Sequence, residues 1–117
     1  MKPTDIKLHQ RSRILEITFE DESHFKLPVE YLRVYSPSAE VQGHGPGQEV
    51  LQTGKEGVGI QDIEPVGHYA VRLRFDDGHA SGLYSFSELY RLGRDQSVLW
   101  RDYLDRLEAA GVQRQAH

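Results

Sequence analysis

The chain has 117 residues, a formal net charge of −4, 38% hydrophobic and 27% charged residues, and no cysteine. Such a length suits one domain with a modest core, and the missing cysteine excludes disulfides, thiolate-held iron–sulfur clusters and Cys-type zinc sites. The acidic balance gives no long-range pull toward nucleic acid or anionic membrane, and neither a membrane-spanning run nor a signal-peptide core is present, so a cytoplasmic, bacterial-type protein is the expectation.

Met1–Gln10 is polar and reads as a loose lead-in, with Ile6 and Leu8 alternating as the start of a strand. Leu15, Ile17 and Phe19 share one face of the next strand, Glu20–Ser23 turns the chain, and His24–Leu27 returns as a hairpin. Pro28 suits the first turn of a short helix through Val34, which Pro37 ends. Residues 36–59 are glycine-rich, and GHGPGQ at 43–48 breaks both regular periods, so a long loop is predicted. Ile60 and Ile63 mark a strand between Val58 and Val66.

The clearest strand follows. Tyr69, Val71, Leu73 and Phe75 alternate with Ala70, Arg72, Arg74 and Asp76. Asp77-Gly78 predicts a two-residue primed turn, with a return strand over His79–Leu83 in which Gly82 admits a neighbouring backbone. Ser85, with Glu88 three residues on, predicts a helix N-terminus. A last helix carries Val98, Leu99, Trp100, Tyr103, Leu104 and Leu107 on one apolar stripe, closed by Gly111. The core is predicted over about 6–109, with a tail fraying over 112–117.

Leu15, Ile17, Phe19, Asp21 and Leu27 recur 56 residues later as Val71, Leu73, Phe75, Asp77 and Leu83. The pattern predicts two hairpin-plus-helix units in an α+β fold, their five or six strands joined in one small antiparallel sheet with helices mainly on one side.

Two stretches together, GHYAVRLRFDDGHASGLYSFSEL and LRVYSPSAEVQGHGPG, resemble a family of unknown function related to the N-terminal domain of γ-butyrobetaine hydroxylase. The resemblance covers about Leu15–Leu92. It implies an accessory domain that precedes a catalytic domain and carries a structural zinc, held by three cysteines and one histidine. The matching positions here are Ser36, Ser38, Val41 and His79. Serine is a poor zinc ligand near neutral pH and valine is none, so the zinc is expected to be lost. The oxygenase's iron triad belongs to the catalytic domain, which 117 residues cannot include. Similar domains attached to P-loop iron–sulfur scaffolds imply a docking role, but no P-loop motif occurs here.

Single residues leave several readings. His79 either survives from a metal site, completed by Glu40 and His44 with zinc, iron or nickel, or hydrogen-bonds the loop backbone. The glycines around His44 form either a phosphate nest or a plain loop. Ser36-Pro37 reads as a turn rather than a nucleophile, since no Gly-x-Ser-x-Gly elbow surrounds it. Arg72 and Arg74, with Arg13 from the sister strand, form either a stripe for a phosphate or acidic partner or a solvated face paired with Asp76 and Glu20. Trp100 either packs under the sheet or anchors a partner.

The leading expectation is a non-enzymatic protein-interaction domain without a cofactor, its surface formed by Arg33, Tyr35, Glu40, His44, Arg72, Arg74 and His79. Its partner is an unidentified protein, with no nucleic acid or membrane involved. The runner-up is a metal or iron–sulfur trafficking helper using His79, His44 and Glu40. A small hydrolase or transferase lacks a visible base–nucleophile pair.

Overall fold

The computed structural model describes residues 1–37 and 50–114, with 80–82 described as backbone alone. Strands β1 (Pro3–His9), β2 (Ile14–Phe19) and β3 (His24–Pro28) run into helix α1 (Val29–Val34). Strands β4 (Ile60–Val66), β5 (Ala70–Phe75) and β6 (Ala80–Ser85) run into helix α2 (Phe86–Arg94), and α3 (Gln96–Ala109) follows. The class is α+β, and the repeat is β-β-β-α twice. The lead-in is therefore a full edge strand, since Ile6 and Leu8 pair with Ile17 and Leu15.

The six strands do not join in one sheet. They form two three-stranded antiparallel sheets, ordered β1-β2-β3 and β4-β5-β6. The units meet through side chains instead. Leu15, Ile17 and Phe19 of β2 and Val71, Leu73 and Phe75 of β5 are all buried in one cluster. A few polar contacts cross the join: Gln10 donates to the Ile60 carbonyl at 3.0 Å, and the Tyr84 hydroxyl to the Leu32 carbonyl at 2.6 Å.

The 56-residue offset places β2 on β5 end to end, but it slips elsewhere. Leu15 pairs with Leu27, whereas Val71 pairs with Tyr84, so Tyr84 and not Leu83 takes the place of Leu27. The cause is an irregularity between Arg72 and Arg74, where Ser81 and Gly82 of β6 stand opposite Leu73 alone. Pro28 is the N-cap of α1 rather than its first helical residue, and Ser85 caps α2, its hydroxyl accepting the Glu88 N–H at 3.1 Å. The tail, expected to fray from 112, is held as far as Arg114, which bonds to the buried Glu30.

Candidate functional site

The β5–β6 connection runs over Asp76–His79, four residues rather than two, so His79 belongs to the turn and not to the return strand. Asp77 explains the difference. Its Oδ1 accepts the His79 backbone N–H at 3.1 Å, and Gly78 takes φ 83°, which glycine adopts without strain. Its other oxygen accepts Arg33 Nε at 3.0 Å and Lys55 Nζ at 3.1 Å. Arg33, only 4% exposed, also donates from Nη1 to Gln52 at 3.0 Å. Burial pushes the Asp77 carboxyl up, but the His79 N–H and the Lys55 and Arg33 cations outweigh it and hold it below the usual range.

Beside this network, Ser36 Oγ and His79 Nε2 share a hydrogen bond of 3.2 Å. Ser36 is 0% exposed and His79 7%. The Phe75 ring lies against the imidazole, 6.2 Å between centroids. Tyr84 closes the floor, and burial pushes its phenol pKa up.

The fold thus brings together two of the four positions matched to the zinc ligands, Ser36 and His79. Ser38 and Val41 lie outside the described residues, as do Glu40 and His44. The donor set does not fit a zinc: one imidazole bonded to a hydroxyl, with serine and valine as the remaining types. Among the described residues, no group of three His, Asp or Glu side chains is placed to hold a metal ion. The hydroxyl–imidazole pair also has the composition of a nucleophile and its base, and its hydroxyl is buried.

Of the residues expected to form the interaction surface, Arg33 and His79 are buried rather than exposed. Tyr35 is half-buried, its ring edge-on to Tyr31 and its hydroxyl donating to the Leu99 carbonyl at 2.7 Å. Burial pushes that phenol up to about 12. Arg72 and Arg74 are outermost and pair with Glu64 at 3.8 Å and 2.6 Å, not with Asp76 or Glu20. Glu64 lies opposite Arg72 in the register and diagonal to Arg74, whose directly opposite residue is Asp62, so one carboxylate on β4 meets both arginines. Arg13 sits in the β1–β2 loop, where its carbonyl accepts the Val29 N–H. An open depression of about 380 Å³ runs past Arg72, Arg74, Gly78 and His79. Trp100 packs against Tyr31 and Tyr103 and lies under Arg114.

Sequence reasoning missed Asp77, Gln52 and Lys55 as parts of this site. The Asp-Gly pair was legible as a turn, but that the aspartate would gather two distant cations was not.

Residues 6–90 match the family described as gamma-butyrobetaine hydroxylase-like, N-terminal. One NMR solution structure shares 47% identity and a TM-score of 0.83, over 99% of this chain and 91% of that one. A second shares 54% identity and a TM-score of 0.83, over 98% and 86%. The crystal structure of a protein of unknown function from Acidithiobacillus ferrooxidans, of the DUF971 family, shares 37% identity and a TM-score of 0.67, over 79% and 92%. No curated protein matches the chain.

Proposed function

Because the chain belongs to the gamma-butyrobetaine hydroxylase-like N-terminal domain family, we propose that it acts as a non-enzymatic accessory module that binds another protein. The observation that carries this reading is the state of its chemistry-bearing residues. Ser36, His79 and Arg33 are buried and bonded to side chains of the same network, so they build a surface instead of opening onto a substrate. Outside them lie the Arg72–Arg74 row and the depression beside it. A row of arginines beside a depression is a recognised way to hold an acidic peptide. A cytoplasmic location is part of the same proposal, and cell fractionation checks it. No helix among the described residues is long and apolar enough to cross a membrane.

The test is capture of a reproducible partner by the immobilised full chain, repeated with Arg72→Glu/Arg74→Glu and with a scrambled 38–47 segment. Loss of the same partner in either variant supports the proposal. Equal capture by all three proteins removes this surface from consideration.

A further inference from the structure

Both flanks of the segment 38–49 end on one turn. Ahead of it, Arg33 donates to Asp77 and Ser36 bonds to His79. Behind it, Lys55 donates to the same Asp77 oxygen, and Gln52 accepts from Arg33. Bringing the ends of a segment together removes chain freedom, at an entropic cost that grows slowly with its length. Something must offset that cost. By resemblance a zinc ion would tie positions 36, 38 and 41 to position 79, and the donor set here does not fit one.

We propose that the Asp77–His79 turn is a metal-independent clasp that fastens both flanks of segment 38–49 to the second sheet. The Asp77 carboxylate serves two cations, and the His79 imidazole meets the Ser36 hydroxyl. Burial favours the arrangement. The Arg33 guanidinium lies out of water and needs acceptors, and Asp77 and Gln52 supply them. Ser36, fully buried, has His79 among its partners. The clasp acts in the free protein, with or without a partner on the surface above it.

Three measurements on the full chain test this. Protein purified without added metal is expected to hold far less than one equivalent of zinc, with the same Tm in chelator as without it. A stoichiometric metal, or a Tm lowered by chelator, overturns the proposal. Asp77→Asn is expected to lower Tm by about 4–8 °C, and added zinc should not restore it. An unchanged Tm overturns the clasp. Should that variant fail to fold, Lys55→Gln at the more exposed end decides. Amide exchange at Gln52 and Lys55 is then expected to quicken several-fold while β2 keeps its protection. Unaltered exchange there overturns the proposal.

Discussion

Glu30 sits 5% exposed on α1, and its carboxylate accepts the Tyr103 hydroxyl at 3.0 Å and Arg114 Nε at 2.8 Å. The guanidinium lies 5.4 Å from the centre of the Trp100 ring, so the arginine is held by charge on one side and by an aromatic face on the other. A buried carboxylate that loses its cation keeps its desolvation cost without compensation. Arg114→Ala is expected to destabilise the fold by about 2–3 kcal/mol, reduced from the deep-core value because the arginine is partly exposed. Urea denaturation measures it, and an unchanged midpoint would show that the tail contact is idle. Acid stability belongs to this scale too. Asp77 is held below the usual carboxylate range, as is Glu16, through hydrogen bonds first from His9 and then from His24. For a carboxyl whose folded pKa is depressed, the stability it contributes is present above the unfolded value. It is lost as pH falls through the folded one. Stability should therefore fall below about pH 4. Asp77→Asn should give a shallower decline there than the parent, measured by thermal melts across pH 2–5; parallel curves would remove Asp77 from the account.

At the scale of elements, the two units share one irregularity, although the shift between Arg72 and Arg74 has no counterpart in β2–β3. β1 shifts register between Pro3 and Asp5, and β4 between Ile60 and Asp62, each one residue from the strand's start. Both hairpins carry the same Asp turn: Asp21 accepts the Ser23 N–H at 2.9 Å as Asp77 accepts that of His79. Glu22 takes φ 71° where Gly78 takes 83°. The helices differ, because α2 must lie close on β3. Gly93 faces the Phe25 ring so closely that a Cβ there would overlap it, while Tyr90 packs edge-on to both Phe19 and Phe25. Gly93→Ala raises helix propensity but forces the ring aside. A net loss of about 1–3 kcal/mol is expected, read as a lower Tm. A rise would mean that the aromatic trio moves freely.

In the whole molecule, each unit's helix fastens the other unit's turn. Tyr90 of α2 donates to Asp21 at 2.8 Å, and Arg33 of α1 donates to Asp77 at 3.0 Å. Tyr31 of α1 reaches the Leu92 carbonyl of α2 at 2.7 Å. Neither half can then complete its own core. Residues 1–57 and 58–117 expressed apart are expected to lack dispersed amide resonances, and mixing them should restore the spectrum. A half that folds alone would show that the exchange of helices is incidental.

The period of the apolar residues made the strands, α2, α3 and the repeat readable, because alternation and helical spacing are local properties of the chain. The Ser85 cap was readable for the same reason. The resemblance in turn named Ser36 and His79 together, and they do meet. What lay beyond reach were choices between distant partners. The sequence could not say whether the six strands would form one sheet or two, that Arg33 would be buried against Asp77, that Arg72 and Arg74 would pair with Glu64, or that Arg114 would return to Glu30. Each of these depends on which faces pack together, and only the closed core decides that. Propensity and pattern specify an element from its neighbours in the chain, whereas the partner of a buried charge is selected by the three-dimensional cost of leaving it without one.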